Sequence, residues 1–234
     1  MLEIKVKTNL YILGDIHGNL DAIYDFIDTY NITNSTIVSV GDFGYGFVDD
    51  QLSTLNYYLF KTGNSLLVNR GNHDCYWNHY YKFGYTEYSS LLEFIKFLPN
   101  YSTLLWNDKK ILCIGGAVSI DRVLREDGIS WWKDEAVEQR YPVTDLPNDI
   151  DIIISHTNPS SFIPLSLSAS CYAYAKNDPH LIEDLIQERE YLQWVFEYIK
   201  PKIYFHGHFH HSERYYIDDC KVISLGIDEL YQVV

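Results

Sequence analysis

Three times in its first 74 residues the chain repeats one pattern. A short apolar run stops at glycine, and a polar residue follows at once: "NLYILGD" ends on Gly14-Asp15, "STIVSVGD" on Gly41-Asp42, and "SLLVNRGNHD" runs into Gly71-Asn72. Apolar runs this short, bounded by turn residues, read as strands buried on both faces. Between the first two lies a stretch with Leu20, Ile23, Tyr24, Phe26, Ile27 and Tyr30 at helical spacing. Between the second and third, a helix is expected to open at Asp49-Asp50, run through Phe60 and stop at Gly63. Strands that alternate with helices pair in parallel and make an α/β sheet. In such sheets ligands bind beyond the carboxyl ends of the strands, where each Gly-Asp or Gly-Asn loop falls.

The rest of the chain changes character. "STLLWNDKKILCIGGA" reads as a hairpin turning at Asn107-Asp108. "IDIIISHTNP" is a buried strand that ends at Ser155-His156, and "KIYFHGH" is another strand end. The stretch from Asp178 to Lys200 is expected to be a helix, with Asp178 as N-cap, Pro179 in the first turn, and an apolar face of Ile182, Leu185, Ile186, Trp194, Val195 and Tyr198. A closing hairpin turns at Asp218-Asp219. The late hairpins imply a second sheet packed on the first. No repeat, low-complexity segment or linker divides the chain, so residues 1–234 are expected to form one domain, long enough to bury a core without staples.

The polar residues at the strand ends form a set: Asp15 and His17; Asp42; Asn72, His73 and Asp74; His156; His208 and His210. Singly, each has an ordinary reading, since Asp after a strand is a common turn former or cap. Independent caps, however, would not collect imidazoles at five separate strand ends. In "YFHGHFHH" the histidines at 206, 208 and 210 would point to one side of an extended chain. Imidazole, carboxylate and an amide oxygen, with no thiolate, suit divalent Mn²⁺, Fe²⁺ or Zn²⁺. The donors outnumber the needs of one ion. Two ions ~3.5–4 Å apart, bridged by a carboxylate, would use them, lower the pKa of a coordinated water and stabilise both oxygens of an in-line displacement at phosphorus.

Charge narrows the choice of substrate. Eighteen Lys and Arg stand against 32 Asp and Glu, a net charge of −14. Phosphate backbones and anionic lipids favour basic faces, so neither an extended nucleic-acid surface nor a membrane partner is expected. The four cysteines form no C-x-x-C pair, no leader-like segment opens the chain, and no run approaches a membrane span; a cytoplasmic protein is expected.

"GDIHG", "GD" at 41–42, "GNHD", "SH" at 155–156 and "GHFH" stand in the order found in the calcineurin-like metallophosphoesterases, which the chain resembles from Gly14 to His210. The resemblance implies an α/β fold of two mixed sheets forming a sandwich flanked by helices. It implies a phosphoric ester hydrolase that acts on monoesters or diesters through a metal-bound hydroxide and two divalent ions. Asp15, His17 and His210 would hold one ion; Asn72, His156 and His208 the other; Asp42 would bridge them. His73 would contact the phosphoryl group and assist departure of the leaving oxygen, with Arg70 sharing the stabilisation of charge. His206 and His211 fall outside the motif and are expected to be structural or supporting.

The chain departs from the Ser/Thr protein phosphatases of that family, whose second motif continues "GD-x-x-D-R-G". Here it reads "GDFGYGF", so an Arg and the Asp that supports the catalytic His are missing. Asp74, Asp49 or Asp50 are the candidates to substitute for that Asp. A small phosphorylated molecule or nucleotide is a better candidate substrate than a phosphoprotein. In "GGAVSIDRVLREDGISWWKDE", residues 115–135, Arg122 or Arg125 could clamp a phosphate. Trp131 or Trp132 could stack on a substrate or simply pack, and Lys176 and Asn177 are further candidates for the rim. The contrasting class is a non-catalytic scaffold used for protein–protein contact. Such relatives lose ligands that this chain retains.

Overall fold

A computed structural model describes residues 3–44, 46–47, 51–75 and 92–234. Its strands, in chain order, are β1 (Glu3–Lys5), β2 (Asn9–Leu13), β3 (Ser35–Ser39), β4 (Ser65–Val68), β5 (Ile95–Phe97), β6 (Ser102–Trp106), β7 (Lys109–Ile114), β8 (Ile152–Ser155), β9 (Ile203–His206), β10 (Glu213–Ile217), β11 (Cys220–Ser224) and β12 (Leu230–Val233). The helices are α1 (Leu20–Thr29), α2 (Leu52–Thr62), α3 (Ala169–Tyr174) and α4 (Leu181–Ile199). Two mixed sheets result: β12-β2-β3-β4-β5, and β1-β6-β7-β8-β9-β11-β10.

The apolar runs alternate sides, as the period of a strand requires. In the five-stranded sheet, Leu13, Ile37, Leu66 and Val68 pack outward with Ile23 and Ile27 of α1 and Leu55 and Leu59 of α2. Leu10, Ile12, Val38 and Leu67 of the same strands pack inward against Ile111, Cys113, Ile152, Ile154, Phe205 and Ile223 of the other sheet. The outer face of that second sheet buries Leu112, Ile114, Ile153, Tyr204 and Val222 against Tyr191, Leu192, Val195 and Phe196 of α4. The layers are therefore helix, sheet, sheet, helix. Among the described residues no helix is long and apolar enough to cross a membrane.

The expected parallel units are present. β2, β3 and β4 pair in parallel with Leu13, Ser39 and Val68 level, so the loops bearing Asp15, Asp42 and Asn72 leave one edge together. In the other sheet β7, β8 and β9 pair in parallel, bringing Ile114, Ser155 and His206 to the same edge. Asn69, fully buried just past β4, joins the two edges: its amide donates to the carbonyl of Val40 at 3.2 Å and to that of Ile114 at 3.1 Å.

Two expectations about helices are corrected. α4 starts at Leu181 with His180 in the N-cap position; Asp178 lies two residues earlier, where its carboxylate accepts from the His180 amide at 3.3 Å and also pairs with Arg122. The buried face of α4 is Leu181, Leu185, Glu188, Arg189, Tyr191, Leu192, Val195, Phe196 and Ile199, while Ile186 and Trp194 face solvent. Gly63 does end α2, in the left-handed conformation at φ 67°. The expected start at Asp49-Asp50 lies outside the described residues. Replacing Asn69 by Leu, similar in size but without donors, should lower the unfolding free energy by ~1–3 kcal/mol in urea melts, because two buried carbonyls lose a partner.

Candidate metal centre

The seven residues with ligand chemistry at the strand ends converge. Asp15, His17, Asp42 and His210 bring one donor atom each within 4.8 Å of one another, and so do Asp42, His156 and His208. Asp42 belongs to both groups. Asn72 joins the second: its Oδ1 lies 3.0 Å from His156 Nε2 and 3.1 Å from His208 Nδ1. His156 Nε2 is 3.2 Å from Asp42 Oδ1, His17 Nε2 is 3.1 Å from His210 Nε2, and His210 Nε2 is 3.4 Å from Asp15 Oδ2.

The backbone is bent to achieve this. His17, Asp42, His208 and His210 all have positive φ, at 45°, 47°, 66° and 56°. Non-glycine residues avoid this region at a cost of roughly 1–2 kcal/mol each, and such strain persists where surrounding contacts over-determine it. The contacts here are hydrogen bonds to backbone amides: Asp42 Oδ1 accepts from the His73 amide at 2.9 Å, and Asp15 Oδ2 from the His208 amide at 2.8 Å. Gly41, at φ 141°, makes the approach of His156 possible, because a Cβ there would lie 2.3 Å from His156 Nδ1. The same bending corrects the expectation that His206, His208 and His210 share one side. The chain leaves the strand at Gly207, and His206 turns inward between the rings of Phe162 and Phe209, where burial pushes its pKa down to about 4.

The donor set fits divalent metal. Around an ion with bonds of ~2.1 Å, neighbouring ligand atoms lie ~3.0–3.4 Å apart, the spacing seen between the atoms of Asn72, His156, His208 and Asp42. Asp15 Oδ1 and His156 Nδ1 are buried without any hydrogen-bond partner. Burial leaves His208 well below its usual value and hence a neutral donor. Burial opposes ionisation of Asp42, yet His156, His73 and His208 hold its carboxyl far below the usual range. At Asp15 burial wins and pushes the carboxyl up to about 8 despite His156. Burial also opposes the charge on His156, but Asp42 and then Asp15 raise it to about 9.

Supporting residues sit behind these. Asp74 Oδ1 accepts from the Gly44 amide at 2.7 Å, and its Oδ2 from those of Gly71 and Phe43 at 2.8 and 3.2 Å. Asp74 therefore ties together the loops carrying Asp42 and Asn72; as a support for His73 it is corrected, since its oxygens face backbone amides. Arg70 is corrected too. It is 1% exposed and donates to the carbonyls of Asp134 and Ala136 at 2.7 and 3.0 Å, so it lies below the cleft and not in it. Between those two carbonyls stands Glu135, which the sequence reading missed. The Asn72 side-chain amide donates to Ser119 Oγ at 2.9 Å, and that hydroxyl donates to Glu135 Oε2 at 2.5 Å. This relay turns the oxygen of Asn72 toward His156 and His208. A lone Ser and Glu in a polar loop carried no signal for it.

The arginines of the 115–135 segment divide. Arg122 is drawn away to Asp178 at 2.5 Å and Asp184 at 2.6 Å and does not reach the cleft, so its expected role as a phosphate clamp is corrected. Arg125 lines the cleft. Asp121 holds it through two contacts, at 2.8 and 3.0 Å, and its Nη1 lies 2.8 Å from His73 Nδ1. Trp132 packs in the core against Phe47, and neither Trp131 nor Trp132 lines the cleft; nor do Lys176 and Asn177. His73 does, its ring 5.2 Å from that of His17. Burial, with Arg125 and His17 adding to it and Asp42 opposing, pushes its pKa down to about 4. His211 stands at the mouth. Asp49 and Asp50 lie outside the described residues.

Comparison with known proteins agrees with this geometry. The family model described as calcineurin-like phosphoesterase matches residues 8–212. The chain belongs to the calcineurin-like phosphoesterases. This is a family of divalent-metal-dependent hydrolases, and the two donor groups are able to hold such ions. Among solved structures it is similar to the phosphopantetheinyl hydrolase of Mycobacterium tuberculosis, at 12% identity and TM-score 0.52 over 98% of this chain and 97% of that one. An archaeal phosphodiesterase matches at 14% identity and TM-score 0.44, over 96% and 98%. No curated protein sequence matches the chain.

Two outcomes test the centre. Ligands must shed protons to bind metal, and burial shifts Asp15, and Asp42 shifts His156, toward the protonated form in the metal-free protein. Mn²⁺ titrations at pH 7 in buffers of different ionisation heat should therefore show release of at least one proton per chain, and affinity should strengthen from pH 6 to pH 9. Glu135→Ala should weaken Mn²⁺ uptake by about 10- to 100-fold, as loss of a ligand's orienting partner does, while Glu135→Gln, which keeps an acceptor for Ser119, should lose far less.

Proposed function

We propose that the chain is a phosphoesterase working with two divalent ions, Mn²⁺, Fe²⁺ or Zn²⁺, on a small phosphorylated molecule or nucleotide. The observation that carries this is the sharing of Asp42 between two donor groups. In this reading Asp15, His17 and His210 hold one ion and Asn72, His156 and His208 the other, with Asp42 common to both. Ions so held supply a water activated for attack and withdraw negative charge from the phosphoryl group.

The chain's own residues do the rest. The backbone amide of His73 fixes Asp42, and the His73 ring stands at the cleft beside His17. A neutral imidazole has one acceptor nitrogen. Arg125 faces both ring nitrogens, with Nη1 2.8 Å from Nδ1 and Nη2 3.2 Å from Nε2, and only the acceptor nitrogen takes a hydrogen bond from it; the single ring proton, on the other nitrogen, is the one that can be given to a phosphoryl or leaving oxygen. Arg125, oriented by Asp121, supplies a fixed positive charge on the same side and is the candidate for the charge missing after Asp42.

His73→Asn in the Mn²⁺-loaded protein should lower kcat on nitrophenyl phosphate esters by ~10²–10⁴ with metal content unchanged by elemental analysis. Parallel loss of metal and activity would assign His73 to ligation instead. Absence of hydrolysis of both the monoester and the diester, with Mn²⁺, Fe²⁺ and Zn²⁺ each tried, would overturn the reading.

A further inference from the structure

The cleft has a volume of about 460 Å³, and the candidate ligands make up only part of its lining. From Asp42, Asn72, His208 and His210 it runs to a wall of Ile120, Leu167, Cys171, Tyr174 and Leu185. These wall residues form a separate small core with Val118 and Leu181, in which α3 and the segment before it pack on the start of α4. A phosphoryl group at the ions leaves this arm open.

The arm has a definite chemistry. Its wall is apolar, and apolar surface is matched by apolar surface. Only two of its lining residues carry a permanent positive charge among the described residues, and both are engaged. Arg189 donates to the carbonyls of Asn158, Pro159, Phe162 and Pro164, and Arg125 is held by Asp121 against His73. Glu188 lines the same arm, with its carboxylate turned to the amides of Val118 and Val137. A second phosphate placed there would meet a carboxylate and an apolar wall, with Arg189 turned to four carbonyls and Arg125 already serving the phosphoryl group beside His73. Thr157, Ser166 and Ser168 offer hydroxyls that suit a neutral polar group. Leu124, Leu165 and Tyr172, the chain neighbours of the lining residues Arg125, Ser166 and Cys171, are 73%, 71% and 57% exposed.

We infer that this arm is a subsite for the organic part of the substrate. The substrate class is then a phosphoester of a neutral, partly apolar alcohol, carrying one phosphoryl group and no polyphosphate. The inference deepens the phosphoesterase reading and rests on it for the position of the phosphoryl group.

Phosphonates test it without requiring turnover. With the Mn²⁺-loaded full chain, calorimetry should give hexylphosphonate a Kd at least tenfold lower than methylphosphonate. Leu167→Asp, and separately Tyr174→Ala, should each reduce that ratio to below threefold, with thermal melts and metal content confirming that the variants fold. Equal affinity for the two phosphonates, or a ratio that survives both substitutions, would overturn the subsite. Kinetics supply the other arm: phenyl phosphate should be hydrolysed with kcat/KM at least tenfold above inorganic pyrophosphate, and the reverse order would overturn the substrate class. A hexyl preference that responds to the substitutions, in a protein hydrolysing no ester, would leave the subsite standing and remove the catalytic reading.

Discussion

Asp42 is 1% exposed, stands in a left-handed backbone conformation, and has its carboxylate among the imidazoles of His17, His210, His156 and His208 and beside a second buried acid, Asp15. An arrangement of this kind is costly without cations, because buried charge must be paired. Much of the surrounding structure is explained by the need to hold it. The His73 amide fixes one oxygen of Asp42. Asp74 gathers the amides of Phe43, Gly44 and Gly71, which ties the loop of Asp42 to the loop of Asn72. Without ions, burial shifts Asp15 toward its neutral form and the neighbouring Asp42 shifts His156 toward its charged form, the direction that lessens the unpaired negative charge.

The segment after β7 acts as the second support. Arg70 leaves the same loop as Asn72 and fastens the backbone on both sides of Glu135. Glu135 returns through Ser119 to Asn72. A side chain placed by motif among the phosphate contacts thus serves to hold the residue that orients a ligand. The same segment carries Arg125 onto His73 and sends Arg122 to the start of α4. The loop, the ligand cluster and the long helix are coupled through these contacts, and the cleft opens along their common boundary.

Much of this was legible in the sequence. Each apolar run that stopped at Gly-Asp, Gly-Asn or Ser-His was a strand, because only a buried strand is apolar on both faces over so few residues, and the parallel pairing of such strands forces their ends to one edge. The convergence of Asp15, His17, Asp42, Asn72, His156, His208 and His210 followed from that edge and from motif order. Asn107-Asp108 announced its turn through two residues able to take positive φ. What the sequence determined, then, was which residues stand at the edge. What only the tertiary structure decided was where long side chains go from there. Arg70, Arg122 and Arg125 have equal charge and reach, and their fates differ because Asp134 and Ala136 offer carbonyls, Asp178 and Asp184 offer carboxylates, and Asp121 stands four residues before Arg125. Those partners lie up to 66 residues away in the chain. No local period encodes such pairings; they are set by which acceptors the packed sheets and helices bring within ~3 Å.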